Sequence, residues 1–243
     1  GAFVEAFRAG AFPRARGIKG QAMGPVTLSC ALLVDGRPLI ERDELRPMVA
    51  DHVVRLARWQ AETLQRLAPT VVLVLDEAYL GMAIRRVPGR AEAIADLLRS
   101  VVLRIRKPGV LVGLHCCDEI PFSILDSIAP DLYSFDAHHG AEAMADDEFA
   151  RRFIASGGQV AWGWIPTRDD LSAVSAAAIV DRWWDVTRRL AGRGEGMDGA
   201  RVLSSALVTA SCGLAGSSEE TCERSFALAA DVSRGFAQRC GPT

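Results

Sequence analysis

The stretch GLHCCDEIP, residues 113–121, places His115, one of only four histidines in the chain, two residues before Cys117 at the end of an apolar run. On an extended strand end an i, i+2 pair projects to one side, so His115 and Cys117 can reach a single ion together while Cys116 points to the opposite face. Imidazole and thiolate are ligands that zinc favours, and a catalytic zinc keeps three protein ligands and an exchangeable fourth position. Three more strand ends carry metal-capable or acidic groups: Asp76 with Glu77, Asp136, and Ser211 with Cys212. Taken singly each has a plainer reading, as a hydrogen-bonded histidine, a small core cysteine or a helix-capping aspartate. Taken together, four such ends point to one site.

The elements that must position these groups repeat one theme, a short apolar run closed by polar or Gly/Pro residues and followed by a helical pattern. Six such runs occur: GPVTLSC (24–30), VVLVLDE (71–77), VLVGLHC (110–116), LYSFDA (132–137), QVAWGWI (159–165) and SALVTAS (205–211). Between them lie amphipathic segments such as 45–67, where Leu45, Met48, Val49, Val53, Leu56, Trp59, Leu64 and Leu67 recur at helical spacing. Strands this apolar, alternating with helices, imply parallel pairing buried on both faces, in a doubly wound sheet or a (β/α)8 barrel. No Gly-rich phosphate loop follows any strand, which disfavours a dinucleotide-binding sheet. Reactive groups at the C-terminal ends of several different strands favour the (β/α)8 TIM barrel. The expected organisation is a single barrel domain over residues 1–243.

With 243 residues, 49% of them hydrophobic, and a formal net charge of −2, the chain has material for a sizeable core. Its basic residues are spread along helices and matched by acids, so a nucleic-acid surface is not expected. No apolar run approaches the roughly 20 residues that span a bilayer, and residues 1–10 lack the features of a signal peptide. A cytoplasmic protein without a membrane partner is the expectation. Six cysteines, at 30, 116, 117, 212, 222 and 240, read in a chain of this length as reduced thiols rather than a disulfide framework.

Five landmarks in order, KGQAMGPVTL, LVLDEAYL, GLHCCDE, LYSFDAHH and LVTASCGL, resemble the catalytic C-terminal barrel of cobalamin-independent methionine synthase, over about Lys19 to Leu214. The resemblance implies the (β/α)8 barrel shared with uroporphyrinogen decarboxylase and the corrinoid-protein methyltransferases. It also implies Zn2+ bound by His115, Cys117 and Cys212, completed by a carboxylate at the end of the intervening strand. Asp136 stands there, one methylene shorter than the family's glutamate, and His138 or His139 is an alternative as ligand or in substrate binding. The family's DEP motif reads DEA here, keeping Asp76, which would hold the ammonium group of an amino-acid substrate, and Glu77 beside it. Asp76, Glu77 and Asp136 are thus the catalytic candidates, with Asp76, His138 and Trp164 as substrate-binding candidates.

The implied activity is S-methyl transfer to a zinc-held thiol, a small-molecule substrate with homocysteine as first choice. The donor is a methyl-folate or a methyl-corrinoid, the latter bringing a corrinoid protein as partner. Two departures stand out. Where the family's seventh strand ends in a histidine motif, this chain reads AWGWIPT, with Trp162 and Trp164 read as filling the barrel mouth. The first landmark also corresponds to the family's third strand, so two strands are expected to be missing, with about 80–100 further residues upstream or on another polypeptide. A barrel incomplete in this way would expose apolar strand edges and need cover, a homo-oligomer being one form of it. The alternatives are a decarboxylase that uses the barrel mouth without metal, and a non-catalytic metal- or small-molecule-binding member of the same superfamily.

Overall fold

The computed structural model describes residues 1–86, 89, 91–118, 122–167, 171–192 and 197–240. The chain forms two compact units, one of residues 1–115 with 127–131, the other of residues 116–126 with 132–243. Each contains three parallel strands and the helices that cover them.

In the first unit the strands are β1 (Ile18–Met23), β2 (Val71–Asp76) and β3 (Val110–Cys116), whose last residue already belongs to the second unit. β2 lies between the other two, with Ile18 opposite Val71, Met23 opposite Asp76, and Asp76 opposite His115. In β1 the exposure alternates strictly: Ile18, Gly20 and Ala22 are buried while Lys19, Gln21 and Met23 are exposed. With side chains alternating every residue, the register puts Lys19, Gln21, Met23, Val74, Asp76 and His115 on one face.

After α1 (Ala2–Arg8), whose residues are all outside the core, the helices of this unit are α2 (Pro25–Ala31), α3 (Arg46–Gln65), α4 (Leu80–Arg86) and α5 (Ala91–Ile105). The run expected to be the first strand, 24–30, is therefore helical, and the strand lies earlier, in 18–23. The reason is local. Gly24 is an extended N-cap and Pro25 occupies the first turn, where its fixed φ suits a helix and its missing N–H costs nothing. The apolar, β-branched look of GPVTLSC masked that start signal.

Helix α3 falls within two residues of its expected span but buries a different face. Val49, Ala50, Val53, Val54, Ala57 and Ala61 are inside, whereas Met48 and Trp59 are exposed. Small side chains let the helix approach β1 closely: a Cβ on Gly20 would meet the Leu64 side chain at 2.8 Å and the Gln60 Oε1 at 3.0 Å. Gln60 also bonds both the N–H and the C=O of Gln21, occupying part of the free edge of β1.

In the second unit β4 (Leu132–Phe135), β5 (Gln159–Ile165) and β6 (Ala206–Ala210) pair in parallel, with β5 in the middle. Helices α6 (Phe122–Ile128, its last two residues counted with the first unit), α7 (Ala137–Asp146), α8 (Glu148–Ala155), α9 (Ala176–Ala191), α10 (Gly199–Ser204) and α11 (Glu219–Cys240) accompany them. Register places Phe135 opposite Trp162. Trp162, Trp164, Trp183 from α9 and Phe236 from α11 then form one aromatic cluster, with Trp183 stacked on Phe236 at 3.6 Å between ring centroids. All four rings are fully buried.

The described residues thus carry six strands in parallel pairing, as many as the sequence suggested, and not the eight of a complete barrel. None of the described helices is long and apolar enough to cross a membrane.

Candidate metal centre

β3 delivers the first two candidate ligands. Its residues Val110, Val112, Leu114 and Cys116 are buried, so His115 and Cys117 fall on the alternate face. His115 is the last residue before the second unit, and Cys117 and Cys212 both belong to that unit. Cys212 follows β6 directly, after Ser211, whose N–H donates to the Ile165 carbonyl at 2.8 Å. One ligand atom each from His115, Cys117 and Cys212 lies within 4.8 Å of the others. Cys117 is exposed and the other two are half-buried, which leaves the group open to solvent on one side. Two thiolates with one imidazole are a zinc donor set, and the residues present fit that ion. Cys116, buried, with its Sγ 3.4 Å from the Asp118 carbonyl, is not in the group.

Asp136, expected as the fourth ligand, is not brought into this group. It caps α7, its Oδ1 accepting the N–H groups of His138 at 2.9 Å and His139 at 3.3 Å, while Oδ2 lies 2.8 Å from Nδ1 of His139. Those bonds satisfy first-turn donors that would otherwise be orphaned and engage both carboxylate oxygens within α7. His138 is half-buried, and its carbonyl accepts from Arg182, which forms a two-bond ion pair with Glu142. That pairing holds the Glu142 carboxyl below its ordinary range.

Trp164, expected beside substrate, is buried with no exposed surface; its ring packs against both Trp162 and Trp183 and under the Arg182 guanidinium, 5.5 Å away. The tryptophans therefore belong to the helix-covered core of the second unit. Strand alternation alone left their side undecided, and the contacts of both rings with Trp183 of α9 decide it.

The two acids after β2 divide sharply. Glu77 is fully buried and holds the start of α2, its carboxylate accepting from Val26 N–H at 2.9 Å, Thr27 N–H at 2.7 Å and Thr27 Oγ1 at 2.7 Å. Gly24 is required beside it, since a Cβ there would sit 2.2 Å from the Glu77 Oε1. Burial pushes the Glu77 carboxyl up to about 7, the nearby charge of Asp76 adding to the rise and the three hydrogen bonds opposing it. Its bonds make it a support for α2.

Asp76 lies on the same face as His115, at the same level of the sheet. Its Oδ2 accepts from the Gln21 amide, and the Gln21 Oε1 in turn accepts from the Lys19 ammonium at 2.5 Å. Its Oδ1 is buried and has no hydrogen-bond partner among the described residues. A desolvated carboxylate oxygen without a donor is costly, and that cost is recovered when a ligand supplies one. Partial desolvation lowers the pKa of Lys19, while the negative charge of Asp76 acts in the opposite direction. Lys19 and Gln21 were not singled out from the sequence, although the strict alternation of IKGQAM was the available signal.

No known family matches the sequence, and no curated protein does. Among solved structures, a methyltransferase from Methanosarcina mazei is similar in fold, with a TM-score of 0.57 at 14% identity, over 96% of this chain. This chain spans 64% of the length of that one.

Proposed function

We propose that this chain is a zinc-dependent methyltransferase acting on a thiol, with His115, Cys117 and Cys212 as the metal ligands and homocysteine as the acceptor. The approach of three ligand atoms of the kind and number found in catalytic zinc sites carries the reading. Zinc bound there would supply Lewis acidity, keeping at neutral pH the thiolate form of a thiol whose free pKa is about 8.5.

The remaining work belongs to side chains. Asp76, beside His115 and with a carboxylate oxygen lacking a donor, takes the substrate ammonium. Glu77 holds α2 in place behind it, and Asp136 fixes the first turn of α7. In the transfer the sulfur forms a bond to the methyl carbon, and the donor keeps the electron pair of the bond that breaks. A methyl-folate or a methyl-corrinoid protein serves as donor. The fold likeness to a methyltransferase supports the reaction class.

Purified protein should hold about one zinc per chain. His115→Ala and Cys212→Ala should lose most of it and Cys116→Ala should keep it; equal retention in all three refutes the ligand set. With methylcobalamin or methyl-folate, homocysteine should give methionine at a rate that collapses in Cys117→Ala, and no thioether from either donor refutes methyl transfer.

A further inference from the structure

The open face of the first unit carries more than the metal site requires. Lys19, Gln21 and Asp76 form a hydrogen-bonded line on it, running from the start of β1, where Lys19 is level with Val72, to the strand ends, where Asp76 is level with His115. Both ends of that line are unfinished. Asp76 offers a buried oxygen with no donor, and Lys19 has three N–H groups with one hydrogen bond among the described residues, to Gln21. The Gln21 backbone is anchored in turn, its N–H donating to the Gln60 Oε1 and its C=O accepting from the Gln60 amide, and its side chain sets the distance between the two charges.

Chaining two hydrogen bonds through one amide group puts the Lys19 Nζ within roughly 8 Å of the Asp76 carboxylate. An α-amino acid holds its ammonium and carboxylate about 3 Å apart, and one hydrogen bond at each end brings the span to about 8 Å. Met23, at the level of Asp76 and half exposed, offers an apolar wall for a short side chain.

We infer that Lys19 and Asp76 are a clamp for a zwitterion, Asp76 binding the α-ammonium and Lys19 the α-carboxylate of the substrate, with Gln21 as the positioning residue between them. The inference rests on the thiol-methylation reading only for the sulfur; the clamp itself recognises any small α-amino acid whose side chain reaches toward His115. It makes Lys19 the residue that selects an amino-acid thiol over a simple thiol or a thiol amine.

The test is titration calorimetry on the zinc-loaded chain with three probes: homocysteine, 3-aminopropane-1-thiol, which lacks the carboxylate, and L-norvaline, in which a methyl group replaces the thiol. Loss of a hydrogen bond between charged groups corresponds to about 10- to 100-fold in affinity. Homocysteine should therefore bind that much more tightly than 3-aminopropane-1-thiol, a comparison that needs no variant. Lys19→Met should erase the difference by weakening homocysteine alone, and Lys19→Arg should restore it. L-norvaline should bind the wild type measurably and Lys19→Met not at all. Equal affinity of wild type for homocysteine and 3-aminopropane-1-thiol overturns the clamp while leaving thiol chemistry intact. L-norvaline binding as tightly as homocysteine removes the thiol reading while the clamp stands.

Discussion

Glu77 makes a prediction whose size follows from its surroundings. Its carboxyl titrates at about 7 in the fold against an ordinary value of 4.5. That difference corresponds to about 3 kcal/mol between protonated and ionised forms, at about 1.4 kcal/mol per tenfold. Because the folded value is the higher one, the group favours the folded chain most fully below pH 4.5, and this contribution is lost as the pH rises through 7. Urea unfolding followed by circular dichroism from pH 4.5 to 8 measures it. Glu77→Gln keeps one acceptor for Val26 N–H but turns an N–H toward Thr27 N–H, so it should cost about 1–3 kcal/mol at low pH. It should also flatten the pH dependence by about 3 kcal/mol, so that by pH 8 the variant is at least as stable as the wild type. Parallel curves for the two proteins across this range would refute the claim that burial outweighs the three hydrogen bonds at Glu77.

Asp136→Ala should lower stability by about 1 kcal/mol through loss of the α7 cap while zinc content stays at the wild-type level, and Asp136→Asn should recover most of the loss; metal analysis beside urea titration checks both. Trp164→Ala should cost about 3–5 kcal/mol in unfolding free energy, and a stable variant with only homocysteine affinity reduced would return Trp164 to the substrate site. Gly24→Ala should destabilise the first unit by driving a methyl group into the Glu77 carboxylate, read as faster hydrogen exchange at the amides of Val26 and Thr27.

How far the sequence could be read depended on whether neighbouring residues or distant ones decided the outcome. The runs 110–116 and 159–165 fall on strands with their ends correct, because each is a continuous apolar segment bounded by polar or Gly/Pro residues. The pair His115 and Cys117 followed from strand alternation within one element. At 24–30 two local signals competed, and Gly-Pro at a helix start won with help from Glu77, about fifty residues away along the chain. The tryptophans of β5 were harder, since in a strand buried on both faces only the packing partner, here Trp183 of α9, says which side a ring takes. Asp136 illustrates the same limit, because an aspartate before a helix reads alike as ligand or cap until its acceptors are paired. The line from Lys19 through Gln21 to Asp76 joins two strands whose residues stand 55 positions apart, and no pattern within either strand announces it.

The central claim is that His115, Cys117 and Cys212 hold a zinc with a position free for a substrate thiol. Replacing zinc with cobalt gives the most direct measurement, because sulfur bound to cobalt is visible as a charge-transfer band. The cobalt-loaded chain should show a thiolate band from Cys117 and Cys212 that intensifies on adding homocysteine, with release of about one proton at neutral pH. A cobalt spectrum that homocysteine leaves unchanged, with no proton released, would contradict it.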